Sequence, residues 1–304
     1  MPTAPEPRDA ASLDTPLFEA APDGRWLARL AADERAFTEA MAADGAARIA
    51  LSGVGPLCDR AVAETEALFT EGAVRVQDAW LRARAVRRLA THPDILRLLQ
   101  AAYGRRPFAF QTLSFRRGTE QPLHSDTIHF NTEPAGFMAG VWIALEDIRP
   151  EAGPLIYKPG SHRLPVVSMR DVGVNGRPQL ADYERLYEPR FGALLEASGL
   201  PSREVVLPKG QAFAWAANLA HGGSAIADVA STRRSLVVHY FFDGALYYTP
   251  RLSDEPQDRC VRLPTDVATG RWVWPRRNGR RAPVPARQLL AALRARLLRR
   301  PIVV

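Results

Sequence analysis

Residues 107–145 read PFAFQTLSFRRGTEQPLHSDTIHFNTEPAGFMAGVWIAL. Short apolar runs rich in aromatic and β-branched residues are cut by Arg-Arg-Gly, Pro and Asn-Thr-Glu-Pro, a pattern of strands and turns rather than helices. The pattern continues downstream, and strands are expected at Phe108–Arg116, Gln121–Ile128, Phe137–Leu145, Leu155–Lys158, Glu204–Leu207, Gln211–Trp215 and Ser235–Phe242. Upstream the period changes. Trp26, Leu27, Leu30, Phe37 and Met41 recur at helical spacing, as do positions within Ala61–Phe69. A third helical stretch runs from about Asp78 to Tyr103, broken near Thr91-His92-Pro93, where proline disfavours helix at the preceding residue and can open a new one. Helices followed by many short strands predict an α+β chain whose second half is a double-sheet jelly roll.

The expected organisation is a mobile Pro/Ala/Asp-rich tail over residues 1–24, a jelly-roll domain over 25–250 and a basic extension over 251–304 ending in a helix. Residues 163–203 are too long for a hairpin loop, and Tyr183, Leu186, Tyr187, Leu194 and Leu195 make part of them helical. This insert is expected to act as a lid.

The formal charge of +7 is local. Ten arginines and no acidic residue lie in 271–304, which leaves 30 cations against all 33 acidic groups in the rest of the chain. Nucleic-acid binding by the body is therefore not expected, and contact with an acidic surface is confined to 271–304. No run approaches the roughly 20 apolar residues of a membrane span, and the start lacks a signal-peptide pattern. Cys58 and Cys260 form neither a disulfide framework nor a CxxC pair, so a cytoplasmic location is expected.

Six histidines can be weighed singly. His124 stands two residues before Asp126, and on a strand both side chains point to one face. One imidazole and one carboxylate give two corners of a facial metal triad; a third ligand must arrive from elsewhere. His221, within Asn218-Leu219-Ala220-His221-Gly222-Gly223, is the best candidate. His92 is read as a surface residue, His129 as facing away, His162 as stabilising a turn and His239 as a satisfied core histidine.

Taken jointly, these pieces resemble the phytanoyl-CoA dioxygenase-like family of Fe(II)/2-oxoglutarate oxygenases. The resemblance spans about Ala36 to Asp243. It rests on His124-Ser125-Asp126, Trp142 sixteen residues after Asp126, Gly153-Pro154-Leu155, Pro159-Gly160-Ser161-His162, Asn218 through Gly222, and an arginine 12 or 13 residues beyond His221. It implies a double-stranded β-helix with helices packed on it, and Fe(II) held by His124, Asp126 and His221. It also implies 2-oxoglutarate as cosubstrate, with its far carboxylate on an arginine, and O2 as oxidant. Arg233 is preferred and Arg234 is the alternative; the two face opposite ways on a strand. Gln111 and Trp142 are expected to contact the cosubstrate.

The implied reaction is hydroxylation of a small-molecule C–H bond with release of succinate and CO2; demethylation or desaturation would use the same residues. Two other readings stand beside it: a binding or assembly module acting through the basic tail, and a cupin-type metalloenzyme that needs no 2-oxoglutarate.

Overall fold

The computed structural model describes residues 14–20, 24–298 and 300–303. The expected mobility of residues 1–13 lies outside them. At Phe18 that expectation fails: the ring is buried, meets Tyr103 edge-on at 5.0 Å, and its N–H reaches the Ala102 carbonyl at 2.9 Å. Burial of one aromatic ring is enough to tie down a polar segment.

The N-terminal helices appear as Ala32–Asp44, Gly55–Glu66, Arg84–Ala90 and Pro93–Tyr103, the last opened by Pro93 with the His92 side chain accepting from the Asp94 N–H. Two strands escape the helical reading, Ala46–Ala50 and Arg75–Gln77. They join a seven-stranded antiparallel sheet in the order Ala46–Ala50, Gln211–Ala216, Met138–Ala144, Ser235–Phe242, Pro107–Phe115, Arg75–Gln77, Ile302–Val303.

The period-two alternation of these strands divides the core. On one face Val141, Ile143, Ala214, Leu236, Val238 and Tyr240 pack against helical Phe37, Met41, Leu89, Ile95 and Leu99. Each fully buried large aliphatic or aromatic side chain there contributes roughly 1.5–3 kcal/mol. The other face presents Trp142, Phe213 and Trp215 to Leu155, Tyr157 and Val205 of a smaller sheet, ordered Arg203–Val205, Leu155–Tyr157, His221–Gly223. Two facing antiparallel sheets with helices on the outside form the expected α+β jelly roll.

One expectation needs correction: Gln121–Ile128 is not a strand. His124 makes a single antiparallel bridge to His221, and the chain then turns into a one-turn 3-10 helix, Asp126–Ile128, capped by the Ser125 hydroxyl. The insert is helical at Leu180–Asp182 and Glu188–Ala197 with a π-turn at Tyr183–Tyr187. Its Val167, Met169, Tyr187, Phe191 and Leu195 share a small core with Ile128 and Ala220. The basic extension ends in the helix Ala286–Leu298, which leaves Leu290, Leu293 and Leu297 exposed, and it is tied to the body where Arg277 pairs with Glu133, Asp258 with Arg177, and Ile302–Val303 closes one edge of the large sheet. No helix among the described residues is long and apolar enough to cross a membrane.

Candidate active site

His221 begins the short strand His221–Gly223 and is bridged on one side by Tyr157 and on the other by His124. The two backbones exchange hydrogen bonds, His124 N–H to His221 O at 2.9 Å and His221 N–H to His124 O at 3.0 Å. Such closeness depends on Gly222: a Cβ there would lie 2.6 Å from the Gln121 carbonyl oxygen. The turn that follows His124 then swings Asp126 under both rings.

The side chains of His124, Asp126 and His221 converge, with one ligand atom from each lying within 4.8 Å of the others. The His124 Nε2 is 3.9 Å from Asp126 Oδ1, and the His221 Nε2 is 3.8 Å from Asp126 Oδ2. Each imidazole is oriented from behind: His124 Nδ1 lies 3.0 Å from the Pro122 carbonyl oxygen and His221 Nδ1 3.0 Å from that of Leu219. An Nδ1–H donated to these carbonyls leaves both Nε2 lone pairs directed at the carboxylate, the arrangement that second partners impose on metal-binding histidines.

Burial pushes the His124 pKa down to about 4 and that of His221 in the same direction, so both rings are neutral at pH 7. Burial alone would raise the Asp126 carboxyl. The imidazoles of His221, His239 and His124, with the Trp215 N–H donating to Asp126 Oδ2 at 2.9 Å, outweigh it and hold the group at about 2. Two neutral nitrogens and one carboxylate oxygen suit a divalent ferrous ion with positions left open.

Trp215 can reach Asp126 because its indole lies across Gly140, its partner on the neighbouring strand. A Cβ on Gly140 would fall 2.1 Å from Trp215 Cε2. Gly140→Ala is therefore expected to lower unfolding stability by about 1–3 kcal/mol, as overpacking does. It should also weaken iron binding by about 10–100-fold, the usual effect of losing an outer hydrogen bond to a ligand. Denaturant melts and iron titration check the two effects separately.

A cavity of ≈ 550 Å³ opens over the triad and is also lined by Gln111, Trp142, Arg233 and His239. Arg233 is 5% exposed. Its guanidinium donates to the Gly153 carbonyl at 2.8 Å and sits 5.6 Å from the Trp142 ring, while Nε has no hydrogen-bond partner and no carboxylate forms an ion pair with it among the described residues. Burial lowers its pKa to about 10, which leaves it charged. Arg234 points the other way and pairs with Glu146 at 3.2 Å. A buried cation without a counterion fits an incoming carboxylate.

The remaining assignments divide. Gln111 faces His239 across the sheet and its Oε1 is 2.9 Å from His239 Nδ1. His239 is no plain core residue, since its Nε2 lies 3.7 Å from Asp126 Oδ2. His129 also lines the cavity rather than facing away. The turn at Pro159–His162 is held not by the His162 ring but by Ser161, whose hydroxyl accepts from the Ala220 N–H at 2.8 Å. Asn218 anchors the same turn through the His162 and Leu164 carbonyls at 3.1 and 2.8 Å. Ser161 and Asn218 lie inside the motifs noted in the sequence, but their anchoring role carried no signal of its own.

The sequence profile of the family described as Phytanoyl-CoA dioxygenase (PhyH) matches residues 50–234. Among solved structures, the non-heme alpha ketoglutarate dependent epimerase SnoN from nogalamycin biosynthesis is 24% identical with a TM-score of 0.54, over 71% of this chain and 85% of that one. The alpha ketoglutarate dependent carbocyclase SnoK of the same biosynthesis is 20% identical (TM-score 0.54; 73% and 88% covered). EctD from S. alaskensis is 17% identical (TM-score 0.56; 79% and 86% covered). At these identities the likeness establishes the fold. No curated protein gives a significant match.

Proposed function

Because the chain belongs to the phytanoyl-CoA dioxygenase family and is thus an enzyme of the Fe(II)/2-oxoglutarate-dependent oxygenase superfamily, we propose that it hydroxylates an unactivated C–H bond of a small molecule. The balance is one substrate C–H, one O2 and one 2-oxoglutarate converted to one C–OH, one succinate and one CO2. The observation that carries this reading is the convergence of His124, Asp126 and His221 in a cavity that also holds the unpaired Arg233.

His124 and His221 would present Nε2 and Asp126 a carboxylate oxygen to the metal, each held in place by the carbonyl or indole partner behind it. A ferrous ion held there with its keto acid would activate O2, the oxidant of the reaction. Arg233 offers the planar fork that binds a carboxylate through two parallel hydrogen bonds. Trp142 flanks that fork, and the Gln111 amide, its oxygen taken by His239, keeps N–H donors for the cosubstrate. Trp142, Trp215 and the insert's Tyr183 line the chamber and give it apolar wall beside the triad.

The carboxylate at Asp126 favours hydroxylation over halogenation, which needs a halide position where a carboxylate would otherwise stand. Two structural neighbours are by name an epimerase and a carbocyclase. Outcome on this fold therefore depends on which substrate bond faces the metal, and hydroxylation is the reading to test first.

Anaerobic titration of the purified protein with Fe(II) and then 2-oxoglutarate should produce a weak visible charge-transfer band that saturates at one keto acid per iron. Iron binding with no band at millimolar 2-oxoglutarate would count against the cosubstrate and favour the cupin-type alternative.

A further inference from the structure

We propose that Arg251 and Arg262 form a second oxyanion site in the same cavity, and that it binds a carboxylate or phosphoryl group of the substrate. The inference rests on the cavity being the oxygenase's substrate chamber. Both arginines line it, and both come from the stretch beyond residue 250 that composition assigned to a basic tail. Neither forms an ion pair among the described residues, whereas Arg97, Arg106, Arg259, Arg277 and Arg287 all reach carboxylates.

Arg251 is also among the charges that act on Arg262: burial depresses the Arg262 guanidinium most, Cys260 and Asp78 act in the other direction, and Arg251 lowers it further. Asp78 attracts Arg262 without pairing with it directly; its oxygens accept from Gln77, the Trp80 indole and the Thr112 N–H at 3.3, 3.2 and 3.1 Å. Two like charges facing a cavity are relieved by an anion between them.

Position gives the site its meaning. Arg262 is fixed by the Thr249 hydroxyl at 2.9 Å and lies 4.9 Å from the Phe130 ring. Phe130 in turn lies 5.0 Å from His239, whose Nε2 is 3.7 Å from Asp126. An anion at Arg262 would thus share the cavity with the triad, separated from Asp126 by the Phe130 and His239 rings. Charge agrees. The cavity wall carries Arg75, Arg233, Arg251 and Arg262 against Asp126, Glu184 and Glu188. A divalent metal and a dianionic keto acid would cancel, so the lining itself keeps one cation in excess, with Asp78 acting on Arg262 from outside it.

The test uses whole protein loaded anaerobically with Fe(II) and saturating 2-oxoglutarate, so that Arg233 is occupied. Benzoate, phenyl phosphate and neutral benzamide are titrated by calorimetry and by change in the charge-transfer band. At least one anion is expected to bind about tenfold or more tightly than benzamide, and Arg251→Gln and Arg262→Gln should each erase that preference. The 2-oxoglutarate titration of both variants should stay within about twofold of wild type. A stronger response to benzoate assigns a carboxylate, and a stronger one to phenyl phosphate a phosphoryl group. Equal binding of all three probes, no binding of any, or unchanged preference in both variants overturns the site. Loss of 2-oxoglutarate binding in the variants assigns these arginines to the cosubstrate and equally overturns it. Failure of wild type to give any band would instead strike the cosubstrate reading.

Discussion

Replacing Arg233 by Gln is expected to raise the 2-oxoglutarate concentration for half-saturation by about 100-fold, within a range of roughly 30- to 4,000-fold. Truncating one partner of a buried charge-assisted pair costs about 2–5 kcal/mol. The stability effect should have the opposite sign. Without cosubstrate, Arg233 is a buried cation whose guanidinium donates to the Gly153 carbonyl and forms no ion pair among the described residues, so the neutral amide should leave the metal-free fold as stable as wild type or more so. A variant that melts no earlier but no longer develops the charge-transfer band separates loss of a binding group from general damage. Arg234→Gln is the control. Its half-exposed pair with Glu146 is worth about 0–1 kcal/mol, and 2-oxoglutarate binding should not move. If the two variants exchange phenotypes, the anchor is Arg234.

Asp126→Asn should abolish turnover and weaken Fe(II) binding by at least about 100-fold, more than loss of an outer partner costs. The substitution keeps shape and can keep an oxygen for the Trp215 indole, so the fold should persist. What disappears is the one negative charge among three imidazoles. Iron retained after desalting and the amplitude of the charge-transfer band are the measurements. An Asn variant that retains stoichiometric iron and full band amplitude would remove Asp126 from the ligand set and with it the facial-triad assignment.

The jelly roll was legible because its central strands are long apolar runs bounded by turn residues. Met138–Ala144 and Ser235–Phe242, buried along nearly their whole length, were placed within a residue. Strands of two or three residues, such as Arg75–Gln77 and Ile302–Val303, contain less than two repeats and leave no periodic trace. The stretch around Asp126 misled for a physical reason. His-Ser-Asp-Thr-Ile alternates like a strand, but Ser125 is a capping residue, and its hydroxyl closes a turn where the alternation suggested extension.

The three candidate ligands converge all the same, through a bridge and a turn rather than one shared strand face. His239 was hidden by its apolar neighbours: in Leu-Val-Val-His-Tyr-Phe-Phe it shares with Val237 the face that lines the cavity, while Val238 and Tyr240 pack the helices. Gly140 could not be read at all, since the indole that demands it comes from Trp215, on the next strand of the sheet.

The indole of Trp215 donates to a carboxylate of the triad, and Trp142 stands on the same cavity wall. Two of the chain's six tryptophans are thus fluorophores built into the chamber. Their emission would gauge occupancy without a label: an open-shell ferrous ion beside Asp126 should quench it by a route closed to redox-silent, d¹⁰ zinc. Such an ion could then be counted by light.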